Sequence, residues 1–407
     1  MTATAPVAQA VQPATPFLGL APFLRQSIAG IDLMPAAQAM LASAEKQPDD
    51  ANLWMNLATA MLCLGHRDLG LSIQAQALEI DRIYRRPAAI QPARFRLLML
   101  MMPGDLAENT PLDCLLESSD IDLICYYLSP EAPLALPIPE HDAVMVALGD
   151  SDANQPMLSF LAHALADWPK PVINPAQHIP ATERGALSQI MQRAPGVVMP
   201  TTYRVKRRQL AAVADGRLTL AELAAGLAFP VILRPVGSQA GRDLDRIDDP
   251  AALAAYLAEV DEPDFFLARF IDYSSSDGLF RKFRIALIGG RPFACHMAVS
   301  AHWMVHYVNA GMYEDAAKRA EEAEFMANFE HFAERHRAAL EAIHQRLKLD
   351  YFCIDCAETQ DGQLLIFEAD HVMVVHAMDQ EALFPYKQQH MRKAEQAFRD
   401  FLLGLGR

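Results

Sequence analysis

The sequence predicts a mixed chain, α+β and α/β, made of an N-terminal helical module, a small α/β domain and a larger α+β domain. Three observations predict it. From Ile31 to about Arg85 the apolar residues recur at helical spacing. Between Arg94 and Asn174 short apolar runs, Arg94 to Met101, Ile121 to Leu128, His141 to Leu148 and Pro171 to Asn174, are separated by helix candidates such as Met157 to Asp167, which suggests a small sheet with parallel strands. Further on, apolar runs flank the turn signals Gly289-Gly290 and Asp361-Gly362, as hairpins do.

The chain has 407 residues, too many for one ordinary core, and two or three domains are expected. Its 52% hydrophobic and 21% charged residues describe a globular protein with no run long enough to cross a bilayer. A net charge of −15 argues against non-specific nucleic-acid binding. The first residues lack the basic start of a secretory signal, so a cytoplasmic location and reduced thiols are expected for the six cysteines. Cys353 and Cys356 have the spacing of a redox or metal pair, but an odd separation on a strand sends them to opposite faces, and both read as packing residues.

Residues 1–30, rich in Ala, Pro and Thr, are expected to be mobile or loosely docked. In residues 31–86, Trp54, Leu57, Ala58 and Met61 share one face, Gly65 breaks the run, and Leu69, Ile73, Ala77 and Ile80 form a second. These positions, with Gly70, resemble one tetratricopeptide repeat. A lone unit cannot bury both faces, so it is expected to cap another domain or serve a homodimer or protein partner. The α/β domain is expected over residues 87–178. It lacks a GxGxxG after its first strand, so a dinucleotide site there is poorly supported.

Three stretches carry chemistry. In FPVILRPVGSQAG the short strand Val231 to Leu233 delivers Arg234 to a loop with Gly237, Ser238 and Gly241, where backbone N–H groups can approach phosphate. A turn with an exposed arginine is the plainer alternative. In Arg281 to Arg284, period two puts Lys282 and Arg284 on one face and Arg281 on the other. Cations sharing a face need an anion between them, a phosphate, a substrate carboxylate or a surface salt bridge. In YFCIDCAETQDGQLLIFEAD, Glu368 and Asp370 share a face and Asp355 can lie opposite, giving either three solvated acids or three hard-oxygen ligands for magnesium. Tyr313 to Leu347 reads as charged helices packed on a sheet through Phe325, Phe329 and Phe332.

In this order the motifs resemble the ATP-grasp superfamily, and more closely its glutathione-synthetase and ribosomal-protein-modification ligase branch, over about Arg94 to Leu403. The resemblance implies an ATP-grasp fold over residues 179–407, two α+β subdomains clasping ATP, with the flap at about 200–268 and the metal-binding subdomain at about 269–407. It implies that Arg184 and Arg234 contact ATP phosphates, that Gly237, Ser238 and Gly241 form the flap, and that Phe270, Ile271 and Asp272 lie at the adenine and ribose. Arg284 would stabilise an acyl phosphate, Asn309 would stand near the metals, and Asp355, Glu368 and Asp370 would hold two Mg2+ ions. Departures are arginine for lysine at both phosphate positions, Asp370 for asparagine, no evident ribose acid other than Asp272, and His371 after the metal motif. Lys282, His302 and His371 are the expected substrate contacts. His376 with Asp379 is the leading pair for accepting a proton from an attacking amine. The implied activity is an ADP-forming ligase joining a carboxylate to an amine on a small molecule or peptide. The alternatives are a small-molecule kinase and a non-catalytic nucleotide-binding scaffold.

Overall fold

A computed structural model describes residues 15–131, 133–134, 138–238 and 241–406. The first fourteen residues of the segment expected to be mobile lie outside them, as do residues 239 and 240 of the glycine loop. The rest of that segment is docked rather than mobile. The helix α1 (Ala21–Ile28) follows Phe17, which is buried, and the Leu20 and Ala21 amides donate to the Asp113 carboxylate at 2.6 and 2.9 Å. Helices α2 (Met34–Ala44), α3 (Ala51–Cys63) and α4 (Arg67–Ile80) complete the module. Asp50 caps α3, accepting from the Leu53 amide at 3.1 Å.

The inner face of α3 is the expected one, Trp54, Leu57, Ala58 and Met61 all being buried. That of α4 is not. Leu69 is 51% exposed and Ile80 is exposed too, while Gly70, Gln74 and Ala77 face inward. Gly70 allows the close approach, since a Cβ there would stand 2.8 Å from Leu62. Gln74 exchanges two hydrogen bonds with Gly104, 3.1 and 2.8 Å, clasping the module to the next layer.

That layer is a five-stranded sheet of β1 (Ile83–Arg86), β2 (Phe95–Met101), β3 (Ile121–Tyr127), β4 (Ala143–Val146) and β5 (Val172–Ile173), in the order β1-β3-β2-β4-β5. All neighbours are parallel except β1 with β3. Its inner strands are almost wholly apolar because α5 (Leu112–Leu115), α6 (Gln155–Ala164) and the module cover it. β1 corrects the expected helix to Arg85. The helix ends at Ile80, and a short edge strand precedes Pro87.

After β5 come a 3₁₀ stretch, Ala176–Thr182, and α7 (Arg184–Ile190), capped by Glu183, whose carboxylate accepts from the Ala186 amide at 2.7 Å. After β6 (Val197–Val198) comes a four-stranded antiparallel sheet with its own core. It contains β7 (Thr202–Lys206), β8 (Val231–Pro235), β9 (Asp245–Ile247) and β10 (Asp264–Arg269), in the order β7-β10-β8-β9. Helices α8 (Arg207–Ala214), α9 (Leu220–Leu223) and α10 (Pro250–Glu259) accompany it.

The third sheet, β12-β11-β13-β14-β6, contains β11 (Phe280–Ile288), β12 (Arg291–Ser300), β13 (Tyr351–Glu358) and β14 (Leu364–Asp370). Both expected hairpins form. Gly289, Gly290 and Gly362 have φ of 55, 77 and 77°, where side chains are strained. The charged stretch folds as α11 (Ala316–Ala327), α12 (Phe329–Arg335) and α13 (Arg337–Leu347), with the Phe325 and Phe332 rings packed at a tilt against Phe283 of β11. α14 (Lys387–Leu405) closes the chain. The buried Asn174 joins the first and third sheets. Its carboxamide accepts from the Asp350 and Tyr351 amides and donates to the Tyr351 carbonyl, at 2.7 to 3.0 Å.

Candidate active site

Strand register assembles the site. Arg284 of β11 stands opposite His296 of β12 on one side and Asp355 of β13 on the other, and Asp355 stands opposite Glu368 of β14. One transverse row therefore reads His296, Arg284, Asp355, Glu368. The pairing shifts next to it twice, after Arg284 and after Asp355, as bulged strands do where they re-aim side chains.

Within the row the expected anion between Lys282 and Arg284 is Asp355 itself. The Lys282 ammonium lies 2.7 Å from Asp355 Oδ2, and the Arg284 guanidinium donates to both carboxylate oxygens at 2.8 and 3.1 Å. Burial works to raise the Asp355 carboxyl, but Arg284 and Lys282 outweigh it and hold it well below the usual carboxylate range. Arg284 also donates to the Val374 carbonyl at 3.3 Å. Arg281, on the opposite face as expected, pairs with Asp277 and Glu321.

The two expected phosphate cations come together from a helix and a strand. Arg184, first residue of α7, bonds to the Glu368 carboxylate and donates to the Phe367 carbonyl at 3.3 Å. Arg234 on β8 is 9% exposed and, among the described residues, donates to Ser238, to its hydroxyl at 3.1 Å and to its carbonyl. Among the described residues no carboxylate pairs with it. Burial and the neighbouring Arg184 charge push its guanidinium down to about 10. Ser238 is thus the buried partner of Arg234 as well as part of the loop. Gly237 and Gly241 have φ of 78 and 74°, and Gly241 faces Met304 of the loop after β12.

Phe270 and Ile271 follow β10 at the join between the second and third sheets. The Phe270 ring lies under the Arg246 guanidinium at 4.4 Å and edge-on to Trp303 at 5.8 Å. Asp272 is exposed, and its carboxylate accepts from the Ser274 amide at 2.9 Å in a local turn.

The expected three-acid metal set is not gathered. Among the described residues no group of three His, Cys, Asp or Glu side chains stands together as a metal site. Asp355 is 1% exposed and satisfied by two cations, whereas Glu368 and Asp370 keep about a quarter to a third of their side chains exposed. These two hard-oxygen donors suit magnesium, which takes one or two carboxylates and completes its shell with water and phosphate.

The histidines separate. His371 is 0% exposed, with Nε2 3.0 Å from the Leu148 carbonyl and Nδ1 3.5 Å from Asp370. It ties the end of β14 to the loop after β4, and its burial removes it from the expected substrate contacts. The His376 and Asp379 pair does not form either. His376 Nδ1 accepts from the Met378 amide at 3.1 Å, while Asp379 takes Tyr313 and Lys387, both at 3.1 Å. A lysine ammonium satisfies a buried carboxylate better than a neutral imidazole. His302 and Asn309 are exposed on the loop after β12, where His302 Nδ1 accepts from the Met304 amide.

Two groups beside the site were missed by sequence reasoning. Asp150, after β4, is pushed up to about 7 by burial and by the charges of Glu183 and Asp370. Lys387 and Glu322 are buried together behind Tyr307. Neither has a periodic signal, because their partners are distant in sequence.

No family model and no curated protein matches the chain. Solved structures similar to it include D-alanine–D-alanine ligase from Bacillus anthracis complexed with ATP, at 14% identity and a TM-score of 0.46, covering 77% of this chain and 96% of that one. A RimK domain ATP-grasp protein from Sphaerobacter thermophilus matches at 17% identity and a TM-score of 0.42, covering 76% and 100%. The VanG D-Ala:D-Ser ligase of Enterococcus faecalis matches at 12% and 0.46, covering 77% and 99%. At these scores the likeness decides nothing about function, which has to come from the residues.

Proposed function

We propose that the chain is an ATP-grasp enzyme, an ADP-forming ligase that joins a carboxylate to an amine through an acyl phosphate. The observation that carries this reading is Arg234, a buried guanidinium that pairs with no carboxylate among the described residues and feels the charge of a second cation, Arg184. A buried charge is costly unless an anion completes it. A planar fork beside a glycine loop suits phosphate.

Around it, Arg184, Lys282 and Arg284 pair with Asp355 and Glu368, and Asp370 follows Glu368 on the same strand, so that with Arg234 there are four cations against three carboxylates. One net positive charge is too little for a nucleoside triphosphate with about four negative charges, so divalent cations have to supply the rest. Magnesium held by Glu368 and Asp370 would neutralise phosphate charge. Arg184, which bonds to Glu368, would also reach phosphate when ATP binds. Phe270 and Ile271 would cover the base.

Lys282 and Arg284 share one carboxylate between two cations, which leaves one positive charge for a substrate carboxylate and for the acyl phosphate made from it. In the first step a carboxylate oxygen bonds to the γ-phosphorus as the bond to ADP breaks. In the second an amine nitrogen bonds to the acyl carbon, phosphate leaves, and the amine loses a proton. His306 and His376 are the candidate acceptors, since burial, before any neighbouring charge, lowers both imidazoles below their ordinary range and keeps them neutral. N-terminal helices packed on the first sheet serve this reading as a cap rather than as a second site.

The test is phosphate release from ATP and magnesium with paired libraries of acids and amines, using 18O-labelled carboxylates. A ligase moves one 18O into the released phosphate and needs both substrates. A stable phosphorylated product from a single substrate would instead make it a kinase.

A further inference from the structure

We propose that Lys387 is a positioning residue for this site. With Tyr307, Glu322 and Asp379 it forms a buried knot that fixes two separate loops, 301–315 and 371–386, against the strand pair carrying Arg284. Lys387 is 2% exposed at the start of α14. Its ammonium bonds to the Tyr307 hydroxyl and stands 3.1 Å from Asp379 and 3.4 Å from Glu322, with the Tyr307 and Phe384 rings at 4.1 and 4.6 Å.

Glu322 of α11 is 0% exposed and fully engaged. It accepts from the Met297 amide at 3.0 Å, the Tyr307 hydroxyl at 2.9 Å and the Tyr386 hydroxyl at 2.6 Å. Tyr313 of the first loop donates to Asp379 of the second at 3.1 Å. One ammonium therefore serves two carboxylates drawn from α11 and from the second loop, and the first loop bonds to both.

The knot reaches the site through Tyr307. Its ring packs on His296 at 4.8 Å, His296 stands opposite Arg284, and Met297, held by Glu322, is the next residue of the same strand. Arg284 in turn holds the second loop at Val374. His306 and Asn309 lie on the first loop and His376 on the second. A polar cluster with every member satisfied specifies one arrangement of these loops. The role rests on the ligase reading, but the coupling of the two loops does not.

The test uses the full chain carrying Tyr307→Phe, which keeps the ring and removes the bridging hydroxyl. Lys387→Met is the stronger variant where it folds. Amide hydrogen exchange should quicken about tenfold in both 301–315 and 371–386, the loss expected of one hydrogen bond to a charged group, with 202–269 unchanged. Phosphate release from ATP and magnesium, in the presence of the acid and amine that support it in the wild-type chain, should fall about tenfold in kcat, while KM for ATP stays within about twofold, because Arg184 and Arg234 are untouched. Exchange that quickens in the first loop only overturns the coupling, and an unchanged kcat overturns the positioning role. If the wild-type chain neither binds nor turns over ATP, the ligase reading fails, and the exchange result still decides the coupling.

Discussion

Replacing Arg234 with methionine separates a phosphate site from a structural arginine, because the two predict opposite outcomes. The guanidinium is charged at neutral pH yet lowered to about 10, mainly by burial and then by Arg184. At 1.4 kcal/mol per pH unit, that fall corresponds to about 3 kcal/mol of unfavourable charging in the folded state. Its two bonds to Ser238, made by a charged group, offset about 1.5 kcal/mol each. Arg234→Met is therefore expected to leave the nucleotide-free protein about as stable as wild type. ATP should suffer, since a lost charge-assisted bond to phosphate costs about 1.5 to 3 kcal/mol, roughly ten- to hundredfold in Kd. Urea unfolding and calorimetric titration of ATP with magnesium read the two quantities separately. A variant that loses more than about 2 kcal/mol of stability and binds ATP unchanged would refute the reasoning.

Other outcomes follow from the neighbours. Asp355→Asn leaves Lys282 and Arg284 facing each other in a buried place, and should cost about 3 to 5 kcal/mol in urea unfolding. Asp150 is raised by burial first, then by Glu183 and Asp370, so its contribution to stability is present below about pH 4 and is lost as pH rises through about 7. Asp150→Asn should remove that fall and gain about 1 kcal/mol at pH 8, a figure reduced for the partial exposure of the group, as read from melting curves between pH 5 and 8. His371→Ala should cost about 2 kcal/mol by releasing the Leu148 carbonyl and opening a cavity, with ATP affinity unchanged by titration.

Much of this site was legible because strands repeat every two residues. Lys282 and Arg284 on one face, Arg281 on the other, and acids across a hairpin are all visible in the sequence. Which acid meets which cation was not, because it depends on register across three strands with two shifts in it. Asp355 therefore read as a metal ligand, whereas the folded chain gives it to Lys282 and Arg284. His376 and Asp379, close in sequence, separate because Lys387 offers Asp379 a full charge. In the helical module α3 was legible from its apolar face. The inner face of α4 was legible only in part, since Gly70 and Ala77 stood in the pattern but Gln74, which makes the clasp to Gly104, is polar and did not. The strand β1 was hidden by its two arginines, and the Asn174 pin by partners about 176 residues away.

The central claim is that Arg184 and Arg234 hold nucleotide phosphate, and calorimetric titration of ATP with magnesium into the wild-type chain and the Arg184→Met, Arg234→Met double variant tests it most directly. Saturable binding by the wild type that vanishes in a folded double variant is the predicted result. No binding by the wild type, or equal binding by both, would contradict it.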